Sequence, residues 1–210
     1  MKKLSICLCT LIIVFAALSF TKKNAVPIEK GIKDFSLKST NNKLVTLSSY
    51  KKAKGFILVF TCNKCPMAKL YSKRLNAMYA KYKKQGVYLM AINSMDTVAY
   101  KEESFALMQK KVTKEQLHFP YLQDKLQVVA KQFKATYTPQ SFVVWKNQFG
   151  SLSIKYEGAI DDSALEPSKA NNYLEKAVDQ LLQNKAVSLP TTKSVGCRIY
   201  FRGEINKMNL

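Results

Sequence analysis

Short apolar runs alternate with segments of helical periodicity along most of the chain, and this alternation predicts a sheet with helices packed against it. The most continuous run, Phe56–Phe60, is wholly apolar, which is typical of a strand buried on both faces. Two shorter segments, Asp34–Leu37 and Leu44–Leu47, precede it and flank the polar stretch Ser39–Asn42. They predict an N-terminal β-hairpin ahead of the central strand.

Helical periodicity begins soon after the central run. Apolar side chains recur at helical spacing from Met67 to Tyr82, which predicts one helix that ends at Gly86. The elements predicted beyond it are a strand over Val87–Ile92, a helix over Val98–Val112, a short extended stretch at Tyr121–Leu122, a helix over Lys125–Phe133, strands over Ser141–Trp145 and Leu152–Tyr156, and a helix over Asn172–Leu182. This order of elements indicates an α/β fold.

Two cysteines stand where the central strand gives way to the first helix. Cys62 and Cys65 are separated by two residues, and Pro66 follows them. A strand that ends in such a pair and turns into a helix places the first sulfur at the helix N-terminus, where unpaired N–H groups and the helix dipole favour a thiolate. We therefore expect redox chemistry at this pair.

Two other interpretations of the cysteine pair stay open. A structural zinc site needs four ligands, and beyond the pair the exported part of the chain offers only Cys197 and His118, which are far apart in sequence. No metal site is therefore expected. A purely structural disulfide between the two cysteines is the other interpretation.

The N-terminus has the pattern of a bacterial export signal. Met1–Lys3 is a basic start, and the residues from 4 to 20 are mostly apolar. A cut after Ser19 satisfies the preference for small residues through Ala17 and Ser19. An uncleaved membrane anchor is the alternative, and it would associate the protein with the membrane through this segment.

The rest of the chain has the length of one domain. We expect a signal over residues 1–19, a single domain over residues 20–190 and a basic C-terminal tail over residues 191–210. Cys7 and Cys9 fall in the signal without a small-residue lipidation context, so they are interpreted as ordinary signal residues. The predicted location is the bacterial periplasm or cell envelope.

The formal net charge of +20 comes almost entirely from lysines spread over the chain. Nucleic acid is not a predicted partner, because an exported protein rarely meets it and because few arginines are available for bidentate contacts. Those arginines are Arg74, Arg198 and Arg202. A solvated lysine surface, weakly attracted to anionic membranes or acidic redox partners, is the expected arrangement.

Four segments resemble the peroxiredoxin-like redoxins of the alkyl hydroperoxide reductase/thiol-specific antioxidant group, within the thioredoxin superfamily. They are Phe60–Pro66, Thr138–Phe142, Tyr156–Asp162 and Gly196–Cys197. The resemblance implies a thioredoxin-like α/β fold with a central mixed sheet flanked by helices, to which the N-terminal hairpin is an extension. It also implies an oxidoreductase that uses no cofactor.

The resemblance assigns roles to residues of the motifs. Pro139 is expected to be the cis-proline that faces the dithiol, and Thr138 to offer its backbone to an extended substrate peptide. Cys62 is expected to attack a substrate disulfide as thiolate, and Cys65 to resolve the mixed disulfide. The implied partner is a protein with a disulfide or dithiol, and a reductant in an oxidising compartment would also need electrons from a membrane donor.

Two further residues are candidates around this dithiol. Lys64 stands where members of this branch often have histidine, so we expect its permanent charge to lower the pKa of the thiolate. Cys197 is a candidate resolving thiol for an oxidised Cys62 or Cys65. A lone thiol and an intermolecular disulfide are the alternatives for it.

Two alternative functions follow from the same residues. In a thiol peroxidase Cys65 would be the peroxidatic cysteine before Pro66, but Cys62 and Leu58 replace the Thr/Ser and proline of that motif, and Thr138–Gln140 offers no arginine. Disulfide exchange is therefore preferred. A copper-binding assembly chaperone is the second alternative, because two thiolates can hold a cuprous ion, although such proteins space their cysteines one residue wider.

Overall fold

The computed structural model describes residues 31–204 of the 210-residue chain. The predicted export signal and the last residues of the basic tail lie outside the described residues. No helix in the described part of the chain is both long and apolar enough to cross a bilayer.

A mixed sheet of seven strands forms the centre of the fold, in the order β2-β1-β5-β4-β3-β7-β8, and β6 and β9 form a separate two-stranded sheet. The strands are β1 Ser36–Ser39, β2 Leu44–Thr46, β3 Gly55–Thr61, β4 Val87–Asn93, β5 Tyr121–Gln123, β6 Tyr137–Thr138, β7 Gln140–Lys146, β8 Leu152–Gly158 and β9 Cys197–Arg198. β3 pairs in parallel with β4 and antiparallel with β7, so the predicted mixed sheet is confirmed.

Helices cover both faces of this sheet. They are α1 Pro66–Leu70, α2 Ser72–Lys83, α3 Phe105–Glu115, α4 Val128–Phe133 and α5 Tyr173–Leu182. Side chains of β3 alternate between the two cores: Phe60 packs with Phe133 of α4, whereas Val59 lies in the cluster that contains residues of α2, α3 and α5. Every residue of β3 is buried, as the wholly apolar run Phe56–Phe60 predicts.

The predicted N-terminal hairpin is confirmed and extends the sheet. β1 pairs antiparallel with β2 on one side and with β5 on the other. The first predicted strand begins two residues late, at Ser36, because Asp34 makes other contacts. Its carboxylate accepts hydrogen bonds from the backbone N–H groups of Phe35 and Leu47, both at 2.8 Å.

Three predicted helices have different bounds in the structure. The helix after the cysteines is interrupted at Tyr71, which separates α1 from α2. The helix predicted from Val98 begins only at Phe105, because Ser104 has extended backbone angles and residues 101–103 form a 3₁₀ turn. The helix predicted from Lys125 begins at Val128, because Gln127 adopts a left-handed conformation with φ of 56°.

Candidate redox site

The end of β3 and the start of α1 bring the two cysteines of the motif together. Cys62 follows β3 directly, and Cys65 is the N-cap residue of α1. Pro66 suits the first turn of the helix, since it has no N–H to leave unpaired. The backbone N–H of Cys65 donates to the sulfur of Cys62 at 3.3 Å. Both side chains are buried, at 2% and 3% exposure, so exposure does not distinguish nucleophile from resolving thiol.

The segment Thr138–Pro139 faces this pair, as the resemblance implies. Its peptide bond is cis. The Thr138 hydroxyl lies 3.2 Å from the Cys62 sulfur, and the Cys65 thiol donates to the Thr138 carbonyl oxygen at 3.2 Å. Thr138 thus contacts both sulfurs of the motif, once through its side chain and once through its backbone.

Cys197 is the third sulfur of the site. Strand β9 pairs antiparallel with β6, which places Cys197 opposite Thr138, and the Cys197 thiol donates to the Cys65 sulfur at 2.9 Å. This pairing also means that β9 occupies the edge of Thr138 where the resemblance expects a substrate peptide. The role of Thr138 in substrate binding stays a prediction.

Glycine is required next to the third cysteine. A Cβ added at Gly196 would overlap the Thr138 carbonyl oxygen and would lie 2.8 Å from its carbonyl carbon. Only a residue without a side chain lets β9 approach β6 this closely. The sequence pair Gly196–Cys197 therefore has a structural reason: the glycine permits the approach that brings the cysteine to the dithiol.

Glu103 is a site residue that sequence analysis missed. Its carboxylate is buried and accepts hydrogen bonds from the backbone N–H groups of Asn63 and Lys64, at 2.6 and 3.1 Å, and from the side-chain amide of Asn93 at 2.9 Å. It fixes the loop between the two cysteines. The sequence offered one signal. β3 contains no acidic residue, so a buried acid at the site would have to come from another element.

Hydrogen bonding within the cysteine pair separates the acidities of its two thiols. The bond between the two side chains is the main reason that the pKa of one thiol of the pair is lowered and the pKa of the other is raised. The two thiols therefore titrate as a pair. The lowered pKa favours the state of the pair that holds one proton and one negative charge.

Two fixed backbone groups favour the charge on Cys62, whereas backbone hydrogen bonds from Ala68 and Cys197 lower the pKa of Cys65. A backbone N–H can only donate, and the N–H of Cys65 points at the Cys62 sulfur. A backbone carbonyl can only accept, and the Thr138 carbonyl faces the Cys65 sulfur. Sulfhydryl protons can move, but these two backbone groups cannot exchange roles. Both favour the charge on Cys62 and the proton on Cys65.

The third thiol stays protonated near neutral pH. Burial, followed by the hydrogen bond to Cys65, raises the pKa of Cys197 to about 11. The negative charge of Glu103 also raises the pKa values of Cys62 and Cys197. Cys197 therefore serves as a hydrogen-bond donor to the dithiol at neutral pH.

A cavity of about 260 Å³ opens onto the three sulfurs. Lys64 is exposed and lines this cavity, and so does Arg198 of β9. A second cavity, of about 360 Å³, lies on the side of Pro139 that faces Met67 and Ile160. His118 is exposed and lies in neither cavity lining. Within residues 31–204, no group of three or more His, Cys, Asp or Glu side chains is arranged to hold a metal ion.

Comparison with protein families places this arrangement among the redoxins. The family described as AhpC/TSA family matches residues 28–149, which is more than half of the chain. The chain belongs to the AhpC/TSA family. Membership confirms the resemblance seen in the sequence, and the fold is thioredoxin-like, as predicted. The matched range includes Cys62, Cys65 and Pro139 but ends well before Cys197.

Individual relatives support an oxidoreductase. The thiol-disulfide oxidoreductase ResA of Bacillus thuringiensis subsp. konkukian is 27% identical over 128 residues, which cover 61% of this chain and 69% of that protein. The Arabidopsis thaliana protein named "Probable glutathione peroxidase 2" is 37% identical over 62 residues, but these cover 30% of this chain and only 36% of that relative.

A solved structure extends the likeness to nearly the whole chain. A hypothetical protein from Sinorhizobium meliloti superposes with a TM-score of 0.75 at 30% identity, and the match covers 86% of this chain and 97% of that protein. The common architecture therefore reaches beyond the family match.

Proposed function

We propose that this chain is an exported thiol-disulfide oxidoreductase in which Cys62 is the nucleophile and Cys65 the resolving thiol. The observation that carries the proposal is the environment of the Cys62 sulfur. It accepts the Cys65 N–H at 3.3 Å, lies 3.2 Å from the Thr138 hydroxyl, and has a second thiol beside it. Hydrogen bonds to a thiolate stabilise it and make it available for attack.

The proposed reaction has two exchange steps. The Cys62 thiolate attacks one sulfur of a protein disulfide, so a mixed disulfide forms and one substrate thiolate leaves. Cys65 then loses its proton and attacks the Cys62 sulfur, so the Cys62–Cys65 disulfide forms and the second substrate thiolate leaves. The substrate gains two electrons and the dithiol loses two. The difference between the reduction potentials sets the direction.

The proposed substrate is an extended segment of a protein that carries a disulfide or a dithiol. The cavity beside Pro139 supports this, because it is lined largely by apolar side chains such as Met67 and Ile160 and lies next to the cis-proline. In the oxidising envelope a membrane dithiol donor would have to return the electrons if the chain acts as a reductant.

Trapping of the mixed disulfide tests the nucleophile. Cys65→Ser lacks the resolving thiol, so a disulfide-containing peptide is expected to remain attached to Cys62. Cys62→Ser is the matched variant and is expected to react much more slowly. A peptide attached to Cys65 in Cys62→Ser at the rate of the wild type would reverse the assignment.

Peroxide reduction is the competing function for the same dithiol. The glutathione peroxidase relative and the position of Arg198 in the sulfur cavity favour testing it. In that function Cys65 would be oxidised by peroxide independently of Cys62. Copper binding without turnover is distinguished by titrating the reduced protein with cuprous ion.

Export is the part of the proposal that rests on the first residues alone. Met1–Lys3 and the apolar segment that follows support it. The mass of the mature protein from the envelope fraction tests it. Loss of residues 1–19 indicates a cleaved signal, and the full mass in the membrane fraction indicates an anchor. Recovery in the cytoplasmic fraction would contradict export.

A further inference from the structure

The thiol groups of Cys65 and Cys197 are in direct contact. Their sulfur atoms are 2.9 Å apart. A disulfide bond is about 2.05 Å long, so the two atoms need to move together by less than about 1 Å to bond. The two residues are 132 positions apart in the sequence, so the fold itself creates this contact.

Several interactions outside the thiol group hold Cys197 in this place. The N–H of Ile199 donates to the Thr136 carbonyl at 2.8 Å, and the Ile199 side chain is 1% exposed in the core. The Thr138 hydroxyl, whose single proton can go either to the Cys62 thiolate or to the Cys197 carbonyl oxygen, lies 3.3 Å from that carbonyl oxygen. Together with the close approach at Gly196, these contacts fix the strand that carries the cysteine.

The three sulfurs form a chain with Cys65 in the middle. Cys62 lies on the side of the Thr138 hydroxyl, and Cys197 lies on the side of β9. Cys197 is partly exposed, whereas Cys62 and Cys65 are buried. A sulfur that contacts two other thiols can form a disulfide with either of them.

We propose that Cys197 is a third redox cysteine, which moves the disulfide from Cys62–Cys65 to Cys65–Cys197. The proposal rests on the proposed function, which forms the first of these disulfides. Cys197 loses its proton to solvent and attacks the Cys65 sulfur. The Cys65–Cys197 bond forms, the Cys62–Cys65 bond breaks, and Cys62 leaves as thiolate. Cys197 is oxidised and Cys62 is reduced, so no external oxidant is needed.

This exchange lets the disulfide substrate and a second, dithiol protein react with different cysteines. Cys62 is free again as a thiolate, and the new disulfide includes the partly exposed Cys197. A dithiol protein that attacks Cys197 would reduce the Cys65–Cys197 disulfide and would itself be oxidised to a disulfide. Lys64 and Arg198 are both exposed beside the sulfur cavity, so an acidic surface around that dithiol would be complementary.

Peptide mapping tests the proposal directly. The reduced full chain is mixed with an equimolar amount of oxidised glutathione, quenched with acid, alkylated and digested with trypsin. Trypsin cleaves after Lys64, so the three cysteines fall in separate peptides. These are Gly55–Lys64, Cys65–Lys69 and Ser194–Arg198. The two disulfides therefore give linked peptides of different mass.

The expected result is that Cys65–Lys69 becomes linked to Ser194–Arg198 in the wild type as the link to Gly55–Lys64 declines. In Cys62→Ser the same link is expected to form directly from glutathionylated Cys65. Cys197→Ser is the matched control and is expected to keep the Cys62–Cys65 link alone.

Two results would overturn the proposal, and they differ. A wild type that stays linked only through Cys62 and Cys65, with no Cys197 link in Cys62→Ser either, refutes the third redox cysteine and leaves the proposed function intact. A wild type in which oxidised glutathione forms neither disulfide refutes the proposed function and the further inference together.

Discussion

Glu103 is expected to hold the loop between the two cysteines, and Glu103→Ala removes its carboxylate. Three N–H groups, from Asn63, Lys64 and Asn93, then lose their acceptor. A hydrogen bond to a charged group contributes about 1.5–3 kcal/mol. Lys64 is exposed and Asn63 is partly exposed, so hydrogen bonds to water replace part of the lost energy. We expect the free energy of unfolding to fall by about 3 kcal/mol.

Urea unfolding of the reduced protein measures this loss, with the fluorescence of the single tryptophan, Trp145, as the signal. Glu102→Ala is the matched control, because the one bond at that residue, from the Asn63 side chain, goes to its backbone carbonyl. It is expected to change stability by less than about 0.5 kcal/mol. A Glu103→Ala protein as stable as Glu102→Ala would refute the role of the buried carboxylate.

A second substitution at Glu103 separates the effect of its charge from its structural role. The Glu103 charge raises the pKa of Cys62, so Glu103→Gln is expected to lower that pKa while it keeps the size of the side chain. Ultraviolet absorbance of the thiolate during a pH titration measures the shift. An upward shift would contradict the electrostatic role.

Three further predictions concern the same site. Gly196→Ala places a Cβ against the Thr138 carbonyl, so urea unfolding is expected to show a loss of about 1–3 kcal/mol; unchanged stability would contradict the close approach. Lys64→Ala is expected to raise the pKa of the thiolate at low salt, with a smaller effect at high salt; an unchanged thiol titration would remove this role. The first pKa of the Cys62–Cys65 pair is lowered, so between this pKa and the ordinary thiol value the unfolded chain binds one more proton than the folded pair. Stability of the reduced protein is therefore expected to rise with pH over this range and to fall above it, whereas the oxidised protein should lack this difference.

Local patterns were sufficient to predict most of the fold. The apolar run of β3, the hairpin of β1 and β2, and the last helix are specified by residues close together in sequence, so periodicity locates them. The Cys62–Cys65 pair and Pro139 were predictable for the same reason, because each belongs to a short motif at a strand end. Errors of helix bounds arose where one residue adopts a non-helical conformation, as Gln127 does.

Long-range contacts account for what the sequence did not predict. Glu103 reaches the cysteine loop across about forty positions, and the segment that carries it was predicted as an ordinary helix. Cys197 was recognised as a candidate, but no local pattern shows that it contacts Cys65 rather than Cys62. That choice depends on the register of β9 against β6, which places Cys197 opposite Thr138.

Stopped-flow measurement of thiol loss in the reduced protein distinguishes disulfide exchange at Cys62 from peroxide reduction at Cys65. Wild type, Cys62→Ser and Cys65→Ser are mixed in parallel with a model disulfide and with hydrogen peroxide. We predict fast exchange with the disulfide that requires Cys62, together with slow oxidation by peroxide. Fast peroxide oxidation that survives in Cys62→Ser and is lost in Cys65→Ser would contradict it and would identify a peroxidase.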